Sequence, residues 1–514
     1  MLDRRTLLAS TAALLARPAW AALPKDSAAL NALFDRFMKE NLDNSPTTVT
    51  ALGLDTGARA HQKSLIDDSS LAGIAKNKAI TAGQLAALKA FNRAALSPKD
   101  AVSYDVILYG LKTNAEADAR FAYGPGGAGA PYIISQLTGL YSQGPSFLDN
   151  QHTIETKADA DAYLARLEAC AVVMDQEIEA ARHDVALGVV PPDFALAKTL
   201  LQMNQLRAPA PEKSTLVESV VRRSREKHIA GDWSGPAARI VKEKFYPALE
   251  RQITLVKEMQ KRAAHDAGVW RLPDGEAYYR ASLKNWATTD KSPQEIHRLG
   301  LEIVADSTAK IDALMKTQGL TKGSVGARLR AMFTDPKFIA PNNDAEKDKI
   351  IAGLNNRVRQ VRSQLPAWFG TLPKADVTIK RVPKAIEAAQ PLGYYNSASL
   401  DGKRPGIYWI NLRNTAEVPN WTLPSVTYHE SIPGHHLQLS LQREAGLHLI
   451  RKTTFFSAYI EGWALYAEQL AVEMGMYKDD PLGEIGELHD AMWRGIRLVV
   501  DSGMHGLKWS REKA

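Results

Sequence analysis

Cysteine is almost absent from this 514-residue chain: Cys170 stands alone. An intramolecular disulfide is impossible and no thiolate cage can form, so any metal must be held by histidine and carboxylate. Blocks of like charge are missing too. The 64 Lys and Arg against 57 Asp and Glu leave a net charge of +7, but no run of five or six like charges concentrates it. That spread argues against nucleic acid as a partner. Phosphate-loop chemistry is absent as well. The glycine-rich stretch 124–144 lacks the Gly-Lys-Ser/Thr ending of a P-loop and reads as a long surface loop. With 45% hydrophobic and 24% charged residues, what remains is an ordinary folded chain of globular composition.

The first residues are a different matter. Arg4 and Arg5 precede an apolar run, Thr6 to Ala16, and Ala19-Trp20-Ala21 has the small-x-small form of a cleavage site. The run is too short to span a bilayer, so no membrane span is expected once it is removed. Residues 1–22 are therefore expected to be an export signal, with 23–514 as a single helical domain in the periplasm or outside the cell. The adjacent arginines resemble a twin-arginine signal; an ordinary secretory signal is the alternative.

From Ser27 the apolar period is helical, with Leu30, Leu33, Phe34 and Phe37 at i, i+3, i+4 and i+7. Similar stretches follow near 80–120, 157–187, 235–266 and 292–317, and Ser292-Pro293-Gln294-Glu295 is a capping box. The fold class is mainly α. Between 376 and 412 the pattern turns to strands: Asp376 to Val382 alternates, and Ile407 to Leu412 is β-branched and aromatic after the turn Asp401 to Gly406. A small antiparallel sheet is expected here, just before the most informative residues.

Those residues are His429, Glu430, His435 and His436 in the run Tyr-His-Glu-Ser-Ile-Pro-Gly-His-His, 428–436. Zinc peptidases commonly place two histidines at i and i+4, with the intervening glutamate as base. Here i+4 is Pro433, and His435 at i+6 would lie about 9 Å along an unbroken helix. Pro433 cannot donate to the carbonyl of His429 and Gly434 tolerates unusual backbone angles, so the helix should break and return His435. His436, at i+7, would reach the same face of an unbroken helix and is the alternative. A third ligand is expected from Glu461. Glu468, two turns further on the same face, is expected to hydrogen-bond a ligand histidine. Two histidines and a carboxylate leave zinc a fourth position for water, the catalytic pattern, and Glu430 is the expected general base. Arg497, Asp501 and His505 form a polar stripe in which His505 is a second catalytic candidate, for oxyanion or substrate-carboxylate binding. Tyr394, Tyr395 and Tyr408 are weaker oxyanion candidates, and Asn411 on an edge strand is expected to hold a peptide by strand addition.

These motifs resemble the family called domain of unknown function 885, marked by His-Glu-x-x-Pro-Gly-His and a later Glu-Gly-Trp-Ala, and more remotely the gluzincin peptidases of the carboxypeptidase Taq and thimet oligopeptidase type. Tyr278-Tyr279, Thr288-Thr289-Asp290, Pro405-Gly406 and Asp501 to His505 add to the likeness. The resemblance implies a helical shell around a deep cleft, favours His435 over His436, and implies an exported zinc peptidase acting on short peptides. It also implies a chain that continues past Ala514, where Ser510 begins a helix that stops within a turn. A non-catalytic binding protein, or a hydrolase of another amide or ester, are the rival readings.

Overall fold

The computed structural model describes residues 25–382, 387, 390–398 and 405–514. The expected signal at 1–22 and the turn residues 401–404 lie outside them. Helices dominate, and several start at a residue whose side chain caps them. Ser97, Thr156, Ser292 and Ser324 all accept a backbone N–H at a helix start, and Thr156 and Ser292 form complete capping boxes. No helix among the described residues is long and apolar enough to cross a membrane.

Several apolar clusters hold the helices together. One gathers Tyr163, Cys170 and Met174 of the helix Lys157–Ala186 against Leu249, Ile253 and Val256 of Tyr246–Gln260. Cys170 is fully buried there, as a small apolar side chain. Another joins Phe34 and Phe37 near the amino end to Tyr104 and Ile107 of the helix Pro98–Arg120. A third surrounds the sheet and the helices that follow it, with Tyr408, Tyr428 and Leu470 inside.

That sheet has three strands: β1 (Val377–Arg381), β2 (Gly393–Asn396) and β3 (Gly406–Ile410). The order is β1-β3-β2, with β1 parallel and β2 antiparallel to β3. The expected all-antiparallel sheet is thus a mixed one. β3 inserts between the two earlier strands, so the chain reaches it from β1 by a crossover and from β2 by a reversal. Asn411 consequently follows a central strand. It is fully buried, its amide donating to the carbonyls of Glu387 (2.7 Å) and Gln390 (3.0 Å) and its own N–H to Leu392. It cannot receive an added strand.

Two further expectations change. The stretch 124–144 is no simple surface loop: Ala128 and Ile134 are buried, and a helix starts at Leu140 and runs to Asn150. After Ser510, a single turn forms, with the Lys513 N–H on Ser510 Oγ.

Four helices frame the end of the molecule that carries the clustered histidines: α1 (Leu423–Glu430), α2 (His435–Glu444), α3 (Ser457–Glu473) and α4 (Pro481–Gly506). α4 packs along the helix Pro293–Thr317. Glycines set the approach: a Cβ on Gly495 would lie 2.8 Å from Ile303 Cγ2, and one on Gly300 2.9 Å from Leu498 Cβ. Close packing of this pair fixes the wall that carries Arg494.

Candidate metal centre

α1 ends at Glu430 and α2 restarts at His435, so the helix breaks where Pro433 withholds its N–H. The reversal is tight enough that a Cβ on Gly434 would overlap the carbonyl oxygens of His429 and Tyr428. Only glycine fits. Two hydrogen bonds lock the turn: His436 N–H donates to Ser431 O at 3.0 Å, and the Trp463 indole N–H donates to Pro433 O at 2.9 Å.

The consequence is that His435 folds back onto His429. Their ring centroids lie 4.7 Å apart and their planes cross at 85°. Glu461 Oε2, from α3, lies 3.5 Å from His429 Nε2 and 3.7 Å from His435 Nε2. All three donor atoms fall within 4.8 Å of one another. A tetrahedral zinc with bonds of about 2.0 Å sets its ligand atoms about 3.3 Å apart, so these residues fit the ion after small adjustments.

A layer of support lies behind His429. Its Nδ1–H donates to Glu468 Oε1 at 2.7 Å, which directs Nε2 toward Glu461 and His435. Glu468 is fully buried and further held by Ser425 Oγ (2.7 Å) and by Arg494 of α4 (2.9 Å). His435 lacks an equivalent: its Nδ1 is buried with no hydrogen-bond partner among the described residues.

Charge is distributed unevenly across the cluster. Burial pulls the His429 pKa down, yet its hydrogen bonds to Glu461 and Glu468 outweigh this and raise it to about 9. Burial, reinforced by the His429 charge, lowers His435 to about 4. Its hydrogen bond to His429 keeps the Glu461 carboxyl below its ordinary value despite opposing burial. Glu430 is pushed up to about 7, chiefly by burial; His429 pulls against this and the Glu461 carboxylate adds to it. A carboxylate poised near neutrality suits general base work.

The structure therefore brings together His429, His435 and Glu461, with Glu430 adjoining and Glu468 behind. His436 goes elsewhere. Its Nδ1 accepts from Tyr395 OH and its Nε2–H donates to Ala375 O, both at 2.9 Å, so its ring is fully engaged beside the sheet. His505 is not brought to the cluster either. Eleven residues beyond Arg494 on α4, it sits about 16 Å further along that helix, where its Nδ1 accepts the Val269 N–H at 3.0 Å. Asp501 accepts from Tyr279 OH at 2.6 Å, and Arg497 is exposed. Tyr394 stacks on Trp409, while Tyr408 is wholly buried with its hydroxyl unpaired among the described residues.

Two members of the site were not anticipated. Ser425 lies four residues before His429, one turn along the same face. Arg494 lies three before Arg497 and extends the polar stripe of α4 back toward the cluster; the signal was the stripe itself, followed in the other direction.

A family model described as bacterial protein of unknown function (DUF885) matches residues 46–514. The chain belongs to the DUF885 family. Its fold is similar to a crystal structure described as a lipoprotein from Colwellia psychrerythraea, with a TM-score of 0.88 and 27% identity over 96% of this chain and 85% of that one. A lipoprotein of unknown function from Shewanella oneidensis shares the fold at a TM-score of 0.66 and 17% identity, over 94% of this chain and 85% of the other. No curated protein matches.

Proposed function

We propose that this DUF885 protein is an exported zinc-dependent hydrolase that cleaves short peptides. The observation that carries the reading is the convergence of His429, His435 and Glu461 from three helices, with Glu430 beside them, at a helix break that has no other evident purpose. His429, His435 and Glu461 would hold the metal. Bound there, zinc supplies Lewis acidity, polarising a carbonyl and making water a better nucleophile at neutral pH.

The chain's own groups do the rest. Glu430, half-buried beside His429, accepts a proton from the attacking water at its carboxylate and returns it to the leaving nitrogen. Glu468 holds the His429 tautomer, and Arg494 offsets the negative charge of the buried Glu468. The arginine pair and apolar run at the amino end, together with relatives described as lipoproteins, support an exported protein. Twin-arginine export to the periplasm suits a protein that folds around a metal first.

The test is digestion of a mixed peptide library by the zinc-loaded protein, read by mass spectrometry. Cleavage that disappears in Glu430→Gln supports the reading and also shows whether ends or interior bonds are cut. An intact library, with zinc bound, refutes peptidase action.

A further inference from the structure

An apolar cleft of about 620 Å³ lies between α2 and α3 on one side and the helix Pro98–Arg120 on the other. Its walls include Leu437 and Leu441 of α2, Ile460 and Trp463 of α3, Phe456 just before it, and Val102. The cleft is joined to the metal centre by α2 itself. His435, Gln438 and Gln442 occupy positions i, i+3 and i+7 and so share one face, and both glutamines line the cleft. Trp463, in its wall, also ties down the break through Pro433.

Two features mark the cleft as a place for a ligand. Gln438 is 8% exposed; its Nε2 donates to Gln442 at 3.2 Å, but its Oε1 is buried with no partner among the described residues. A buried amide oxygen left unpaired is costly, and an incoming N–H relieves it. At the mouth, Tyr459 is 61% and Val102 55% exposed, so large apolar surface stays open to solvent.

We propose that this cleft is the subsite for a large apolar side chain of the peptide substrate, with Gln438 Oε1 accepting a backbone N–H of the same residue. The proposal rests on the peptidase reading of the metal centre and deepens it. Gln438 and Gln442 lie about 5 and 10 Å from His435 along the helix axis. An extended peptide advances about 3.3 Å per residue, so the bound side chain belongs to a residue within about three of the bond offered to Glu430. Chain polarity and the volume available select leucine, phenylalanine or a similar residue over charged ones.

The experiment has two arms. In the first, metal-depleted protein is titrated calorimetrically with N-acetyl-phenylalanine amide and N-acetyl-alanine amide. Phenylalanine amide should bind at least tenfold more tightly, and Leu441→Trp or Val102→Trp should abolish the difference by filling the cleft; Val102 is exposed, so that variant tests the idea even if Leu441→Trp misfolds. Gln438→Leu should weaken the amide but leave toluene binding unchanged. In the second arm, the zinc-loaded protein digests the peptide library. Apolar preference at one position near the cut, lost in Val102→Trp, supports the proposal. Equal binding of the two amides, or cleavage without that preference, overturns it. Amide binding that obeys the first arm beside an uncleaved library keeps an apolar subsite and refutes peptidase action, so the two failures are separable.

Discussion

Glu468 is the most informative residue to change, because it lies behind His429 and reaches the cluster through that ring. Its Oε1 receives His429 Nδ1–H at 2.7 Å and Arg494 at 2.9 Å, and its Oε2 receives Ser425 Oγ at 2.7 Å. In Glu468→Gln the amide oxygen can keep the first two bonds, and the Ser425 hydroxyl can rotate to accept from the new NH2. Only charge is lost, so zinc affinity should fall about tenfold, the low end for a residue behind a ligand, or about 1.4 kcal/mol. Glu468→Ala removes all three bonds, frees the His429 ring and leaves Arg494 without its carboxylate. A loss of about a hundredfold, roughly 2.8 kcal/mol, is expected. The assay is competition for zinc against a chromophoric chelator at pH 7.5, with circular dichroism to show that each variant is folded. If Glu468→Ala binds zinc within threefold of the native protein while His429→Ala does not bind, the supporting role assigned to Glu468 is wrong.

The remaining predictions concern ligands, base, turn and core. His435→Ala should abolish stoichiometric zinc by elemental analysis, whereas His436→Ala should retain it; the reverse result would transfer the ligand role. Glu430→Gln should keep zinc and lose at least about a hundredfold in turnover, the usual cost of a missing general base, measured on whichever peptide the library yields. Gly434→Ala should break the turn that carries His435, since its Cβ meets backbone rather than a movable side chain; folded protein with native zinc affinity would refute that. Glu177 tests the electrostatics of the core. Burial, opposed by hydrogen bonds from Gln252 and the Leu140 N–H, pushes its carboxyl up to about 7 from an ordinary 4.5. A raised folded-state pKa means the stability is fully present below 4.5 and is lost as pH rises through about 7, up to about 3 kcal/mol at 1.36 kcal/mol per pH unit. Denaturant midpoints of Glu177→Gln should therefore lose this fall between pH 4.5 and 8, and an unchanged pH profile would show that Glu177 is ionised without cost.

What sequence alone could and could not reveal divides along physical lines. Helix rise exposed the problem the histidines of the cluster had to solve, and the family resemblance favoured His435 over His436. His429 and His435 cannot meet along an unbroken helix, and Pro433-Gly434 supplies a break at the one place that lets them. Glu461 and Glu468 were legible as two turns of one face. Strand pairing was not. The residues of β1 and β3 announce themselves by alternation and branching, but whether β3 pairs with one neighbour or inserts between two depends on contacts distant in sequence. Asn411 was misjudged in consequence. The helix Leu140–Asn150 was hidden because Gly144 and Pro145 lie inside it, both poor helix formers, and burial of Tyr141 and Leu148 overrides them.

The contrast between Arg494 and His505 shows the limit of periodicity most clearly. Both belong to the polar face of α4, together with Arg497 and Asp501, and spacing alone ranks none of them above the others. What selects Arg494 is where α4 crosses α1 and α3, and that crossing is set by the glycine-lined contact with the helix Pro293–Thr317, almost two hundred residues earlier. If Gly495 carried a Cβ, Ile303 would have to yield and α4 would move with Arg494 attached. The charge that balances Glu468 is therefore positioned by packing on a neighbouring face of the helix, about 100° round from Arg494. A Gly495→Ala variant should reduce zinc affinity without touching any ligand, and unaltered affinity in a folded Gly495→Ala protein would break this link between the helix pair and the metal centre.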